Sequence, residues 1–475
     1  MAKKLNLLAF DLGASNGRAI LGKYNGTKLE LEEVHKFPNG AINIQGSLYW
    51  NTLGLFEEIK TGLRKAIQAT DNNLACLAID TWGVDYGLLD KEDNLLTNPY
   101  HYRDSRTDGL LDEIFAQVSA ETIYQLTGIQ FMQINTLVQL YADLLYRPWI
   151  LENANSLLFM PDLLNFFLTG KKFNEYTNSS TSQLFNPTTT AWADELFTKL
   201  NLPREIMQPL IFPGEIIGEL TDDLKVEFGI DYSLPVVAVG SHDTASAVAA
   251  TPLSTENSIY ISSGTWSLLG MELTEPVITE ASRRANFTNE CGVGKTIRFL
   301  KNISGLWLIQ ECKRSWDRQG LNLSYDQISE AATNTSFASR IDPDDPSFLN
   351  PADMPTAIKE FCKRTNQAIP ETYGEIARCV YESLASSYKR TLDMLEVMID
   401  TTVDTIHMVG GGIQAEILCQ FTANSTGKKV VTGPIEATAM GNMLVQLMAM
   451  GEISSLAEGR EIIKRSVTLK EYLPL

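Results

Sequence analysis

The sequence predicts an α/β protein of two domains, each built on a mixed sheet that is covered by helices. The chain has 475 residues, which is too many for one hydrophobic core and suits two domains of about 200–250 residues each. The first half opens with three short strands, a helix and a buried strand. The second half repeats a strand, a Gly/Ser turn and another strand. We therefore divide the chain into residues 1–246 and residues 247–475.

The first three strands are predicted from apolar runs and from one turn. Residues 5–11, 18–24 and 28–35 are strand-like, and Asn25-Gly26 separates the last two. Both central positions of a type I′ turn need positive φ, which Asn and Gly tolerate. The three runs are therefore predicted to form an antiparallel meander.

A helix and a buried strand follow the meander. Leu55 and Ile59 belong to an apolar stripe whose spacing predicts a helix over residues 51–69. The continuous apolar run over residues 74–80 predicts a strand buried on both faces, with Asp80 at its end. A meander followed by this alternation indicates a mixed sheet.

Further strands in the second half also end in small or polar residues. A strand over residues 236–239 leads into Ser241–Ser246, which opens a helix. A hairpin over residues 257–272 turns at Ser262-Ser-Gly-Thr265, and a strand over residues 405–409 ends in three glycines. We expect a helix to begin at Gln414, two positions after these glycines.

The polar segment over residues 175–190 has a different composition from its surroundings. It is rich in Thr and Ser and lacks an apolar stripe. We therefore predict a loop, which could shape one wall of a cleft.

Charge and hydropathy exclude several classes of partner. The formal net charge is −19, and an acidic surface disfavours binding to nucleic acid or to an anionic membrane. The apolar run near the N-terminus is too short for a signal peptide, and no apolar stretch reaches about 18 residues. We predict a cytoplasmic protein with no nucleic-acid partner and no membrane span.

The six cysteines do not predict a metal site. No two of them form a C-x-x-C pair, and the four histidines are scattered, which argues against structural zinc. Free buried thiols are the expectation for a cytosolic protein. Cys362 and Cys379 are close enough in sequence to be candidates for a bridge, and that alternative stays open.

The segment from Asp11 to Arg18, DLGASNGR, has the composition of a phosphate-binding turn. Two glycines in a tight turn expose consecutive backbone N–H groups, which form an anion-binding concavity. Ser15 and Asn16 add short donors, and Arg18 can supply charge close to a phosphate. Asp11, at the end of a buried strand, is placed to bind Mg²⁺ directly or through water. The alternative is an ordinary hairpin turn.

A second segment, Ser241-His242-Asp243, places a carboxylate just after a buried strand. Phosphoryl transfer to an alcohol needs a base that orients the hydroxyl and accepts its proton. Asp243 is the candidate for that base. The alternative is that Asp243 only caps the following helix.

Two further turns, Ser262–Thr265 and Gly410–Gly412, could hold phosphates and a flat nucleoside, because both lack bulky side chains. Plain hairpin or flexible turns are the alternative for each. Trp82, Trp266 and Trp307 could stack on a sugar, although most tryptophans simply pack in the core.

Taken together, these segments resemble the FGGY family of carbohydrate kinases over nearly the whole chain. The strings that resemble the members acting on L-rhamnulose are 80–85 (DTWGVD), 102–107 (YRDSRT), 128–131 (GIQF), 241–247 (SHDTASA), 262–268 (SSGTWSL) and 301–310.

The resemblance implies an actin-like fold, with two ribonuclease H-like domains around a central cleft. It implies that residues 1–246 bind the sugar, that residues 247–475 bind ATP, and that the 1-hydroxyl of L-rhamnulose is phosphorylated with Mg²⁺-ATP. The partners would be a small ketose and ATP, and the chain a monomer or a small homo-oligomer. Xylulose, ribulose, fuculose or glycerol remain alternative acceptors. An ATPase without a small acceptor and a silent sugar sensor are alternatives from other classes.

The resemblance also implies a role for individual residues. The base would be Asp243, and Mg²⁺ would bind Asp11. The other sugar contacts would be Gly83, His242, Thr244 and Asn302. The ATP contacts would be Ala14, Ser15, Asn16, Gly17, Arg18, Thr265, Gln310 and Gly411.

Overall fold

The structure is a computed structural model that describes residues 4–349 and 351–475. Its strands are β1 (Leu5–Leu12), β2 (Asn16–Tyr24), β3 (Leu29–Pro38), β4 (Ala41–Ile44), β5 (Ser47–Trp50), β6 (Cys76–Thr81), β7 (Tyr86–Leu89), β8 (Ser156–Phe159), β9 (Asn174–Glu175), β10 (Phe185–Asn186), β11 (Ala191–Trp192), β12 (Leu210–Ile211), β13 (Ile216–Glu219), β14 (Pro235–Val237), β15 (Ser258–Ser263), β16 (Trp266–Leu273), β17 (Thr288–Cys291), β18 (Ile297–Ser304), β19 (Thr405–Val409), β20 (Lys429–Thr432) and β21 (Glu471–Tyr472).

The helices cover these sheets and fill the segments between them. They are α1 (Thr52–Ala69), α2 (Leu110–Gln117), α3 (Ala120–Thr127), α4 (Thr136–Tyr146), α5 (Pro148–Asn153), α6 (Met160–Thr169), α7 (Tyr176–Ser180), α8 (Asp194–Lys199), α9 (Asp222–Phe228), α10 (Asp243–Ala249), α11 (Glu280–Arg284), α12 (Trp307–Arg318), α13 (Tyr325–Thr333), α14 (Met354–Arg364), α15 (Tyr373–Ile399), α16 (Glu416–Thr426), α17 (Ala437–Ala449) and α18 (Leu456–Ser466).

The chain folds into two compact units, and neither is one continuous stretch of sequence. Unit 1 comprises Met1–Ala250, Glu272–Phe299 and Ala437–Ser466. Unit 2 comprises Thr251–Met271, Leu300–Glu436 and Val467–Leu475.

The main sheet of unit 1 has the strand order β13-β14-β6-β1-β2-β3. The predicted meander is confirmed, since β1, β2 and β3 are antiparallel neighbours. Strand β6 runs parallel to β1, with Asp80 beside Asp11 in the register, while β2 places Arg18 opposite Asp11. Three charged residues thus meet where β1 and β6 end.

Helices cover both faces of this sheet. Helix α1 buries Leu55 and Ile59 in the same apolar cluster as Phe10, as its stripe predicts. Helices α10 and α17 pack in direct backbone contact, because a Cβ added to Gly441 would lie 1.7 Å from the carbonyl oxygen of Ser246. Only glycine allows so close an approach.

The prediction of a loop over residues 175–190 is wrong in part, since only residues 181–184 and 187–190 are turns or bends. Helix α7 lies in this segment, and the side chains of Thr177, Asn178 and Ser179 are buried. Glu175 caps the helix by accepting hydrogen bonds from the backbone N–H groups of Thr177 and Asn178 at 2.9 and 3.0 Å. Polar composition indicates a loop only when the polar groups are left to water, and here Glu175 accepts hydrogen bonds inside the fold.

The second sheet has seven strands in the order β17-β18-β16-β15-β19-β20-β21. Strand β15 is antiparallel to β16 and parallel to β19, so the predicted hairpin over residues 257–272 is confirmed. After β19 a short 3₁₀ turn, Gly411–Gln414, precedes helix α16. The helix therefore begins two residues later than predicted. The predicted α/β class is confirmed.

All six cysteines are buried and free, as expected. The thiols of Cys362 and Cys379 interact without a covalent bond, and the interaction lowers the pKa of Cys362. Among the described residues, no helix combines the length and the apolar character that crossing a membrane requires.

Candidate active site

The turn between β1 and β2 carries an ion pair at its base. Nη2 of Arg18 lies 2.6 Å from Oδ2 of Asp11, and both side chains are mostly buried. The side chain of Asn39 donates to the carbonyl of Gly13 at 2.8 Å, and its backbone N–H donates to the carbonyl of Ser15 at 3.2 Å. Residues 13–16 are thus held in a fixed turn, with Ser15 and Asn16 exposed.

Gly17 is needed in this turn for a steric reason. A Cβ added there would lie 2.3 Å from the ring of Phe37, well inside van der Waals contact. The glycine in the phosphate-turn string therefore lets β2 pack closely against its neighbour.

Asp80 is a buried carboxylate beside Asp11. Its Oδ2 accepts a 2.6 Å hydrogen bond from Nδ2 of Asn442, while its Oδ1 has no hydrogen-bond partner in the described structure. Burial raises the pKa of Asp80 well above its usual value, and the charges of Asp11 and Asp243 raise this pKa further. Burial and the two neighbouring carboxylates therefore oppose ionisation of Asp80.

Asp243 is the first residue of α10, and the N-cap position belongs to His242. Its side chain is 32% exposed and accepts a hydrogen bond from Oγ1 of Thr244 at 3.0 Å. Asp243 is thus not the N-cap residue, and its side chain is partly exposed.

His242 lies in a buried polar cluster that the sequence did not predict. Its Nε2 lies 3.5 Å from Oδ1 of Asp243. Its Nδ1 lies 3.1 Å from Nη2 of Arg298 and 3.2 Å from Oε2 of Glu290. Nη2 of Arg298 and Oε2 of Glu290 are also 3.2 Å apart, and the side chain of Arg298 is fully buried.

Glu175 supports the same segment from α7. Its Oε2 accepts from Oγ of Ser241 at 2.6 Å, and Oγ1 of Thr177 accepts from the backbone N–H of His242 at 3.2 Å. Burial raises the pKa of Glu175, and the hydrogen bonds from Ser241 and Thr177 oppose that shift. The polar segment that we predicted to be a loop thus fixes the backbone before Asp243.

Gly83 lies in a strained loop after β6. Val84 has a φ of 68°, which is unusual for a β-branched residue. Its N–H donates to Oγ1 of Thr181 at 3.1 Å, and its carbonyl accepts from Oγ1 of Thr136 at 2.7 Å. A Cβ on Gly83 would lie 3.0 Å from the Thr181 hydroxyl. The loop is therefore held rigidly, which is common where backbone binds a ligand.

Asp85 organises a buried aromatic cluster next to this loop. It accepts from Nε1 of Trp50 at 2.6 Å, from Nε1 of Trp82 at 3.0 Å and from Nε2 of Gln139 at 2.7 Å. Burial raises the pKa of Asp85 to about 6, and these hydrogen bonds oppose the shift. The rings of Trp50 and Trp82 stack at 3.9 Å. Trp82 is therefore a core residue.

Two of the predicted ATP contacts meet in unit 2. Oγ1 of Thr265 lies 3.4 Å from Oε1 of Gln310 on α12. The carbonyl of Thr265 accepts from the N–H groups of Gly305 and Trp307 at 3.2 Å. The hairpin turn is thus fixed to the start of α12, and Asn302 lies on β18 just before it.

The three glycines after β19 have different surroundings. A Cβ on Gly412 would lie 2.0 Å from Oγ of Ser263, and Gly410 has a φ of 86°. A Cβ on Gly411 would meet nothing within 4 Å. Gly410 and Gly412 therefore serve the fold, whereas Gly411 presents bare backbone to open space.

Within unit 1 the structure brings together the predicted residues Asp11 and Arg18, and likewise His242, Asp243 and Thr244. Asp80, Glu175, Glu290 and Arg298 were missed as site residues. The signal for Asp80 was available, since it ends a buried strand as Asp11 does. Glu290 and Arg298 carry no local signal, because neither lies in a recognisable motif: Glu290 is in the short strand β17 and Arg298 near the start of β18.

Two family models match the chain. The FGGY family of carbohydrate kinases, N-terminal domain, matches residues 6–249, and the C-terminal domain of the same family matches residues 259–450.

The chain is also similar to curated relatives over nearly its full length. A rhamnulokinase of Bacteroides thetaiotaomicron is 45% identical over 99% of this chain and 96% of the relative. A rhamnulokinase of Oceanobacillus iheyensis is 44% identical over 98% of this chain and 97% of the relative.

Solved structures show the same fold at low identity. A gluconate kinase from Lactobacillus acidophilus has a TM-score of 0.80 at 17% identity, with 100% of this chain and 94% of that chain covered. A Plasmodium falciparum glycerol kinase with ADP has a TM-score of 0.78 at 15% identity, with 98% and 94% covered. The predicted actin-like fold is confirmed, and the chain belongs to the FGGY family of carbohydrate kinases.

Proposed function

We propose that the chain transfers the γ-phosphate of Mg²⁺-ATP to the 1-hydroxyl of L-rhamnulose, giving L-rhamnulose 1-phosphate and ADP. The observation that carries the reaction type is Asp243, a partly exposed carboxylate in the first turn of α10 with His242 beside it. The choice of sugar is supported by the rhamnulokinases that are 39–45% identical over 98–99% of the chain.

Asp243 is the base in this proposal. It aligns the 1-hydroxyl with the γ-phosphate and accepts the proton as the new O–P bond forms. An ordinary carboxylate suffices, because the transition state is loose and asks for little proton transfer before the phosphoryl group moves. The hydroxyl of Thr244, 3.0 Å from Oδ1 of Asp243, keeps the carboxylate in one orientation.

The ketose is held by Gly83, His242, Thr244 and Asn302. The rigid Gly83–Val84 loop supports this assignment, since its backbone is fixed by the hydroxyls of Thr136 and Thr181. Hydrogen bonds from a preformed site to sugar hydroxyls discriminate strongly between acceptors.

The nucleotide is bound by Ala14 to Arg18, Thr265, Gln310 and Gly411. The fixed turn over residues 13–16 and the open space beside Gly411 support this assignment. We further propose that residues 1–246 supply most of the sugar contacts and residues 247–475 most of the nucleotide contacts, in a monomer or small homo-oligomer. A cytoplasmic location follows from the use of ATP.

The residues at the end of β1 and β6 suit Mg²⁺. Mg²⁺ binds one or two carboxylates together with water and substrate phosphates. Asp11 supplies one carboxylate, and the neighbouring Asp80, whose Oδ1 has no hydrogen-bond partner in the described structure, supports a cation site there. Among the described residues, no three His, Cys, Asp or Glu side chains form a metal site by themselves. When bound, Mg²⁺ neutralises charge on the phosphates.

The test is an ADP-release assay with Mg²⁺-ATP on L-rhamnulose, L-fuculose, L-ribulose, D-xylulose and glycerol. We expect the largest kcat/KM with L-rhamnulose and little ATP hydrolysis without an acceptor. Turnover of xylulose with none of rhamnulose would overturn the choice of sugar. Fast hydrolysis without any acceptor would overturn the kinase activity itself.

A further inference from the structure

The ring of His242 faces two different environments. Its Nε2 lies on the side of Asp243, at 3.5 Å from Oδ1. Its Nδ1 lies inside unit 1, within 3.2 Å of both Arg298 and Glu290. A neutral imidazole carries one N–H, so these neighbours decide which nitrogen donates.

Arg298 is the neighbour of His242 with the fewest alternative hydrogen-bond partners. It is fully buried, and its Nε donates to the carbonyl of Cys291 at 3.1 Å. Its Nη1 has no hydrogen-bond partner in the described structure. A guanidinium can only donate, so this buried cation needs every acceptor within reach of Nη2. Those acceptors are Oε2 of Glu290 and Nδ1 of His242, at 3.2 and 3.1 Å.

Glu290 offers the opposite arrangement. Its Oε2, 3.2 Å from Nδ1 of His242, would accept a hydrogen bond from that nitrogen if the proton were on Nδ1. That tautomer would point an N–H of His242 at an N–H of Arg298 and would leave the buried guanidinium with one acceptor fewer. Glu290 instead balances the buried charge of Arg298, because an unpaired charge in the interior is costly.

We propose that Arg298, held by Glu290, fixes His242 in the tautomer with its proton on Nε2. The inference rests on the proposed function. In this tautomer the N–H of His242 is directed at the Asp243 end of the site, where it can donate to Asp243 or to a ketose oxygen. The 3.5 Å separation is long for a hydrogen bond, as is common before a substrate tightens the site. Arg298 and Glu290 are therefore positioning residues, which act through His242 and need not touch the sugar.

Nitrogen NMR of the full-length protein with ¹⁵N-labelled histidine tests the tautomer directly. The chain has four histidines, and a His242→Gln variant identifies the ring that disappears from the spectrum. We expect the wild-type His242 ring to show a protonated Nε2 and an unprotonated Nδ1. A protonated Nδ1 would overturn the inference, whichever sugar the enzyme uses.

Variants of Arg298 test whether it causes the tautomer. We expect Arg298→Met to move the proton to Nδ1, to raise KM for the ketose by about tenfold, the loss of about one hydrogen bond, and to leave KM for ATP unchanged. Arg298→Lys keeps a donor and should restore part of the affinity. An unchanged tautomer in a folded Arg298→Met variant would contradict the proposal.

Two substitutions of His242 provide a second readout. The amide of glutamine can occupy the position of Nε2, and the shorter amide of asparagine that of Nδ1. We expect His242→Gln to retain a lower KM for the ketose than His242→Asn. The reverse order would contradict the inference. If Arg298→Met does not fold, the wild-type spectrum still shows which nitrogen of His242 carries the proton.

Discussion

Nη2 of Arg18 lies 2.6 Å from Oδ2 of Asp11, so the cation expected to bind a phosphate is paired with the carboxylate expected to bind Mg²⁺. The pairing follows from the register, in which Asp11 and Arg18 are opposite each other on β1 and β2. Arg18 and Mg²⁺ would therefore compete for the carboxylate of Asp11. When neither ATP nor Mg²⁺ is bound, Arg18 compensates the charge of Asp11.

Removing the charge of Arg18 should separate its two effects. We expect Arg18→Met to raise KM for ATP by about tenfold or more, because a charge-assisted contact to phosphate is lost. The Mg²⁺ concentration needed for half-maximal rate should fall, because Asp11 is released. Steady-state kinetics with varied ATP and Mg²⁺ measures both. Lys23→Gln is the control, since Lys23 lies on the same strand but pairs with Glu32 on the surface. An unchanged KM for ATP in Arg18→Met would refute the assignment.

Gly411 and Gly412 form a matched pair for testing the nucleotide contact. A Cβ on Gly411 meets nothing within 4 Å, so Gly411→Ala should change stability by less than about 0.5 kcal/mol. If a nucleoside packs there, KM for ATP should rise by about tenfold, since a methyl group in a binding surface has effects of that order.

Gly412→Ala should behave in the opposite way. Its Cβ would lie 2.0 Å from Oγ of Ser263, which predicts a loss of about 1–3 kcal/mol from overpacking. Thermal unfolding and ATP titration of both variants separate fold from binding. A normal KM for ATP in Gly411→Ala would exclude the proposed contact.

Asp85 makes the stability of unit 1 depend on pH. Its pKa rises from 3.8 in the unfolded chain to about 6 in the fold, chiefly through burial. The folded state therefore binds more protons between these values, and stability falls as pH rises through about 4 to 6. From about pH 5 to about pH 7.5, titration of this carboxyl should lower the free energy of unfolding by about 1.4 kcal/mol, the equivalent of one pKa unit.

Urea unfolding of wild type and Asp85→Asn at these two pH values measures the effect. We expect the pH-dependent difference to be smaller in Asp85→Asn, because the amide does not titrate. Asp112→Asn, which changes an exposed carboxylate on α2, should keep the wild-type dependence. Parallel pH profiles for wild type and Asp85→Asn would show that Asp85 does not titrate in this range.

Sequence reasoning succeeded where neighbouring residues carry the signal. The meander and the hairpin over residues 257–272 are local, so spacing and turn chemistry were enough to predict them. The family resemblance added Thr265 and Gln310, which are 45 positions apart and still meet. No local pattern could have paired them.

The parts that were missed depend on burial. Residues 175–190 are polar, and only the fold shows that Glu175 is buried in unit 1 and accepts hydrogen bonds from Thr177 and Ser241. Arg298 and Glu290 are charged residues in strands, where side chains of this kind normally face solvent. Their proximity to His242, 56 and 48 positions away, is a product of tertiary structure alone.

The role of Asp243 as the base can be measured in one experiment, kcat with L-rhamnulose and saturating Mg²⁺-ATP. We expect Asp243→Asn to lower kcat by about 10²–10⁴-fold, the usual effect of removing a positioned base, while the variant still folds and binds sugar. Asp222→Asn is the control, because Asp222 is also the first residue of a helix, α9, and is exposed. Near-normal kcat in Asp243→Asn would contradict the proposed mechanism.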